Sequence, residues 1–167
     1  VVLLELERFY NHVGDVGAIC ADTGFAVAQA HALRIREQAI RLNARLFGHR
    51  LLRGNLTPGG VRRDLTKEQV ADARSHVSIL LADLEEVASI ALSNSLVLDR
   101  LHGTGRLSQR TAREMQVVGM AARASGIDED ARRDHPFAAY EDLNVRVPVF
   151  AEGDVWARTM VRIEEAR

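Results

Sequence analysis

Apolar residues that recur every third or fourth position constrain this chain more than any other feature. In residues 1–22 the positions Leu3, Leu6, Phe9, Val13, Val16 and Ile19 hold that spacing, with Glu5, Arg8 and Asp15 off the stripe. Such a pattern lines one face of a helix. Residues 26–47 repeat it with Val27, Ala30, Leu33, Ile40 and the run Leu42–Leu46, and Gly48 is placed to end that helix as a C-cap. Thr66 is a good N-cap and Gln69 stands three residues on, the spacing of a capping box. A long helix is expected over about residues 67–98, its apolar face built from Val70, Val77, Leu80, Leu81, Leu84, Val87, Ile90 and Leu98. Ser108 caps a short helix over 109–116, and Asp154 opens a last one in which Trp156, Met160 and Ile163 recur.

Glycine and proline mark the interruptions. Thr23-Gly24 separates the first two helices, and Gly54, Pro58, Gly59 and Gly60 make residues 50–64 a loop. Gly103 and Gly105 break the third helix, and Gly119 opens an irregular segment that runs to about residue 150. Val145–Phe150 alternates briefly and is expected to be extended, with Pro148 confining any strand to an edge. The fold class expected is all-α: one domain over 1–167, a bundle of four to five helices with long irregular loops. Gly14 and Gly17 inside the first helix cost ~1 kcal/mol each relative to Ala, which points to another element packed close against them.

Composition removes several function classes. The net charge is −1 at pH 7, so there is no electrostatic case for nucleic acid or an anionic membrane surface. No apolar run is long enough for a membrane-spanning helix, and no signal peptide is legible. The single cysteine, Cys20, excludes an internal disulfide and any four-cysteine metal site, and reads as a small buried hydrophobe. No phosphate loop, dinucleotide fingerprint or Ser-His-Asp order is present. Because both ends fall within helical patterns, the chain reads as a segment of a longer protein.

Polar clusters carry what chemistry there is. His12 and Asp15 share a helix face, but two ligands without a third make a thin metal site. Asp22 lies at the C-terminal end of its helix, where the helix dipole disfavours a carboxylate, so a partner or a proton is expected there. Arg34, Arg36, Arg41, Arg45 and Arg50 arm the second helix and its end, either as solvated surface or as a face for carboxylates of a neighbouring helix. Residues 123–140 pack Arg123, Asp128, Asp130, Arg132, Arg133, Asp134, His135 and Tyr140 around Ser125-Gly126-Ile127 and Pro136-Phe137. Fixed, buried backbone of this kind needs side-chain partners. Asp154, Arg158, Arg162 and Glu165 are spaced for an ion-pair ladder along the last helix.

In their order, these motifs resemble a known family. They are Glu5-Leu6-Glu7-Arg8, Asn11-His12, Asp22-Thr23-Gly24, Arg36-Glu37, Gly48-His49-Arg50, Pro58-Gly59-Gly60-Val61, Gly103-Thr104-Gly105, Arg123-Ala124-Ser125-Gly126-Ile127, Asp130-Ala131-Arg132, Pro136-Phe137 with Tyr140, and Gly153-Asp154. The chain resembles the central part of the large subunit of group 4 nickel-iron hydrogenases, the formate hydrogenlyase type. It is also similar to the hydrogenase-derived core subunit of respiratory complex I.

The resemblance implies a helical core beside an iron-sulfur small subunit and membrane subunits, peripheral to the membrane on its cytoplasmic side. In hydrogenase members, two CxxC pairs flanking this segment hold a nickel-iron centre. Neither pair lies here, so no metal and no cofactor is expected to bind the fragment itself, which is expected to be inert alone and prone to self-association through uncovered faces of its first and last helices. Around such a centre Asp22, Glu37 and Asp130 are proton-relay candidates, and Arg36, Arg53 and Arg123 are candidates for electrostatic support. In quinone-reducing relatives a histidine follows the Gly-x-Arg motif by two residues; here Leu52 stands there, which tilts the resemblance toward the hydrogenase branch. The alternatives are a quinone-reducing NADH dehydrogenase-type subunit without nickel, and a non-catalytic helical assembly module.

Overall fold

The computed structural model describes all residues, Val1–Arg167. Eight α-helices dominate it: α1 Val2–Asp22, α2 Ala26–Phe47, α3 Lys67–Ser93, α4 Ser95–Leu101, α5 Gln109–Glu114, α6 Gly119–Ala124, α7 Ala131–Asp134 and α8 Val155–Ala166. A 3-10 helix follows α7 at Ala138–Asp142. The all-α expectation holds, with more and shorter helices than the four to five expected.

The caps explain the boundaries. Gly48 ends α2 in the left-handed conformation, φ 76°. Thr66 and Gln69 form the full capping box of α3, with Gln69 N–H donating to Thr66 Oγ1 and Thr66 N–H to Gln69 Oε1. The long third helix expected to run to residue 98 is instead divided. Asn94 is extended (ψ 114°), and its side chain accepts from the N–H groups of Leu96 and Val97, capping a new helix. Asn offers the backbone a local hydrogen bond that competes with helix continuation.

Two other expectations are corrected. Residues 50–64 are not simply a loop: β1 (Leu56–Thr57) and β2 (Gly60–Val61) pair antiparallel as a small hairpin. Residues 145–150 form no strand; that segment is held by single bonds, such as Phe150 N–H donating to Arg123 O at 2.9 Å. The stretch 119–150 also contains α6, α7 and the 3-10 helix, too short to show in a periodicity.

The core lies where α1, α2 and α3 meet, closed at one end by Ile163 and Ala166 of α8. Val13, Ala32 and Ile35 are fully buried in it. The glycines of α1 sit at this crossing: a Cβ on Gly17 would lie 3.0 Å from Ala32 Cβ, and one on Gly14 would lie 2.9 Å from Arg36 Cδ. The helices therefore approach more closely than side chains would allow. A second cluster, Leu42, Leu46, Phe47 and Leu52, fastens the loop after α2 against α3.

Candidate functional site

The start of α8 gathers distant backbone. Asp154 caps α8 by accepting from Ala157 N–H at 2.9 Å and also accepts from Gly103 N–H at 2.7 Å. Gly153 N–H donates to Ala124 O, Leu107 N–H donates to Gly153 O, and Val155 N–H donates to Thr104 O. Gly153 has φ 67° and a Cβ there would overlap the Leu107 carbonyl, so glycine is required on both counts. This clasp aims the inner face of α8 at α1 and α6.

On that face Glu165 is the hub of a buried charge network, its side chain fully excluded from solvent. Arg123 of α6 donates to it through Nε at 2.6 Å, and Arg8 of α1 through Nη2 at 2.9 Å. His12 Nε2 lies 2.9 Å from the same carboxylate, off the line of a hydrogen bond. Arg123 Nη1 reaches the Glu129 carbonyl at 3.2 Å and Asp130 at 3.4 Å. Arg132 closes on Asp130 through Nε at 2.9 Å and Nη2 at 2.8 Å, and reaches Glu5 at 3.2 Å. Tyr140 donates its hydroxyl to Glu5, and Arg8 returns to Glu5 at 3.3 Å. Three carboxylates (Glu5, Asp130, Glu165) thus face three guanidinium groups (Arg8, Arg123, Arg132), with His12 and Tyr140 at the margins.

The titration behaviour follows from these partners. Burial pushes the Glu165 carboxyl up, but the His12 contact and the charges of Arg123 and Arg8 outweigh it and hold the group at about 2. Burial likewise opposes ionisation of Asp130, and hydrogen bonds from the Arg132 side chain and backbone bring it to about 2. Tyr140 is pushed up to about 12 by burial, by its hydrogen bond to Glu5 and by that carboxylate's charge. At neutral pH both carboxylates are fixed charges and the Tyr140 hydroxyl keeps its proton.

Of the six residues singled out from sequence, the structure joins two: Arg123 and Asp130 share the network. Glu37 is on the surface of α2, bound by Arg50 at 2.8 Å and Arg41 at 2.8 Å, and hydrogen bonds from Arg50 and then Arg41 hold it at about 2. A proton relay works best with a pKa near the working pH, so Glu37 and Asp130 behave as permanent anions here. Asp22 is exposed at the end of α1 and forms no ion pair, so the partner expected for it is not supplied. Arg36 lies over the Tyr10 ring at 5.8 Å, and Arg53 is exposed on the loop after α2.

The ladder expected along α8 is not formed. Arg158 donates to Gly153 O and Gly105 O, Arg162 pairs with Asp15 of α1 at 2.9 Å, and Glu165 belongs to the network. Helical spacing permitted pairs along the helix, but loop carbonyls take Arg158 and side chains of α1 and α6 take Arg162 and Glu165. The arginines of α2 do meet carboxylates of a neighbouring helix, Arg34 with Asp83 at 3.0 Å and Arg45 with Asp72 at 2.9 Å. Glu165, Glu5, Arg8 and Tyr140 were not singled out as site residues from sequence. The available signal was the 5, 8, 12 spacing of Glu5, Arg8 and His12, which puts them on one side of α1.

A second feature is an apolar cleft of about 920 Å³ between the start of α1, the loop after α2, the hairpin and Phe137. Tyr10, Glu7, Arg53 and Arg63 bring polar groups to its wall.

These features define a class: a helical scaffold cross-braced by buried arginine-carboxylate pairs, with an apolar cleft beside an arginine-rich loop. Residues 22–167 match the family described as "Respiratory-chain NADH dehydrogenase, 49 Kd subunit", and the chain belongs to that family. It is 35% identical over 164 residues to formate hydrogenlyase subunit 5 of Escherichia coli, covering 98% of this chain and 29% of that protein. It is 30% identical to NADH-quinone oxidoreductase subunit 4 of Thermus thermophilus over 167 residues, covering 100% of this chain and 41% of that one. Among solved structures, the membrane-bound sulfane sulfur reductase, an archaeal respiratory membrane complex, superposes with a TM-score of 0.89 at 30% identity, covering 98% of this chain and 44% of that one. The chain thus spans less than half the length of these relatives. No helix is long and apolar enough to cross a membrane.

Proposed function

We propose that this chain is the helical core of the large subunit of a membrane-associated oxidoreductase, on the hydrogenase side of the family. There it would scaffold a nickel-iron centre, fed by an iron-sulfur partner, at which protons and hydrogen interconvert. The observation that carries the branch is Leu52. It is 8% exposed and packed with Leu42, Leu46 and Phe47, at the position where the resemblance places a histidine in quinone-reducing members. An apolar side chain there carries no proton and tunes no neighbouring cluster electrostatically.

The residues of this chain do not themselves fit nickel. Cys20 is its one thiol and lies 2% exposed in the α1–α2 core, where burial pushes its pKa up and away from the thiolate that binds metal. No group of three or more potential ligands is assembled elsewhere. On this reading the ligands come from other parts of the large subunit, and this chain contributes rigidity: the Glu165 network ties α1, α6 and α8 into one block against which a cofactor could be held.

The test is metal analysis and hydrogen evolution or uptake on the full-length large subunit with its partners. Nickel near one equivalent with hydrogen turnover is expected. Quinone reduction by a nickel-free protein would establish the second reading, the NADH dehydrogenase type, which the 30% identity to an NADH-quinone oxidoreductase subunit favours. A metal-free complex without redox activity would leave the assembly-module reading.

A further inference from the structure

One imidazole ties two amides of the loop that walls the apolar cleft, beside the backbone bond from Leu52 N–H to His49 O at 3.0 Å. His49 Nδ1 accepts two backbone hydrogen bonds, from Leu51 N–H at 3.1 Å and from Arg53 N–H at 3.3 Å. Both partners are donors, so Nδ1 must carry a lone pair. The neutral ring therefore has its proton on Nε2. Between the two amides, Leu52 is held in the left-handed region at φ 58°, a conformation that a bulky side chain adopts only under constraint. The constraint is visible: Leu52 is buried against α2, and its carbonyl accepts from Asn55 Nδ2 at 3.1 Å. Asn43, fully buried, donates to Arg50 O at 3.4 Å from beneath.

We propose that His49 is a protonation-sensitive latch on loop 49–55. The neutral ring holds the turn closed; the imidazolium, with a hydrogen on each nitrogen, confronts two N–H donors and releases it. Release loosens the backbone on either side of Leu52 and alters the cleft, because Leu51, Leu52, Arg53 and Gly54 all line it. The charged groups on the surrounding elements are Glu7 on α1, Glu37, Arg41 and Arg45 on α2, Arg50 and Arg53 in the loop, and Arg62, Arg63 and Asp64 beyond the hairpin. Arg63 lies beside the latch, its guanidinium 3.3 Å from where a Cβ on the adjoining Gly48 would be. Glu37 is engaged by Arg50 and Arg41. Protonation therefore adds a positive charge among arginines. The latch does not depend on which cofactor or partner the parent complex carries.

The experiment is amide hydrogen exchange on the 167-residue chain by nuclear magnetic resonance, with the His49 ring signals followed in parallel. Corrected for intrinsic rates, protection of the Leu51 and Arg53 amides is expected to drop about tenfold as the His49 ring titrates, the scale of one lost hydrogen bond. His49→Ala is expected to show the low protection at every pH. His49→Asn, whose side-chain oxygen still accepts but gains no proton, is expected to keep protection without pH dependence. Protection that stays flat in the wild type while the ring titrates overturns the proposal, and so does an unchanged pH dependence in His49→Asn. Should His49→Ala fail to fold, the wild-type series decides alone.

Discussion

Glu165 shows how much rests on one side chain. It is fully buried and has three basic partners, and Arg123, among them, is itself only 4% exposed. Replacing it with Gln removes the shared anion and leaves Arg8 only Glu5 at 3.3 Å and Arg123 only Asp130 at 3.4 Å. Breaking a buried pair from one side costs about 3–5 kcal/mol, so Glu165→Gln is expected to lower the urea midpoint by that equivalent, or to prevent folding. The same groups set the acid limit. Glu165 and Asp130 fall from ordinary values of 4.5 and 3.8 to about 2 in the folded chain. A carboxyl with a depressed folded value contributes stability above its unfolded value and loses it as pH falls through the folded one. Stability should therefore decline between about pH 4.5 and about pH 2. A denaturant series across that window that shows no decline would contradict the network. Sequence marked Arg123 and Asp130 because they lie in a dense polar string. It put Glu165 in a ladder along its own helix, because its actual partners are 42 and 157 residues away and no local pattern reports such pairings.

Among the elements, caps were legible and interruptions less so. Thr66, Ser108, Asp154 and Gly48 mark helix ends through chemistry confined to three or four neighbouring residues. The break at Asn94 was not read, because the apolar spacing runs through it from α3 into α4. Asn94→Ala removes the acceptor for Leu96 and Val97 N–H, and a loss of about 1 kcal/mol is expected in thermal unfolding. The α1–α2 crossing offers a sharper check. With Ala32 Cβ already 3.0 Å from where a Gly17 Cβ would be, Gly17→Leu should force the helices apart. Such overpacking typically costs about 1–3 kcal/mol. An unchanged melting temperature would show that the crossing is looser than described. Gly14 and Gly17 had announced a close neighbour from sequence, but not which helix it was.

At the scale of the whole molecule, the exposed apolar surface is unevenly placed. Val2, Leu4, Leu51, Leu56, Val61, Val70 and Phe137 are all exposed, and all line the cleft. Contiguous apolar surface of this kind favours association. The sequence expectation put uncovered faces on both the first and the last helix. The structure keeps it for the start of α1, where Val2 and Leu4 are exposed, and corrects it for α8, none of whose large apolar residues is exposed. Light scattering on the isolated chain is expected to show mass rising with concentration. Leu56→Ser with Val61→Ser should shift that rise to higher concentration, since those side chains are 72% and 49% exposed and belong to the small hairpin. A clean monomer throughout would mean that the cleft closes on itself.

Helical content, most helix ends and the reach of the family motifs follow from local order along the chain. Turn residues, caps and a period of three to four act over a few residues and survive any rearrangement of the whole. The Glu165 network, the cleft and the placement of Leu52 in a strained, buried turn depend on which helices meet and at what distance. Those outcomes belong to packing, where a side chain's partner is set by geometry across the core and not by its neighbours in sequence.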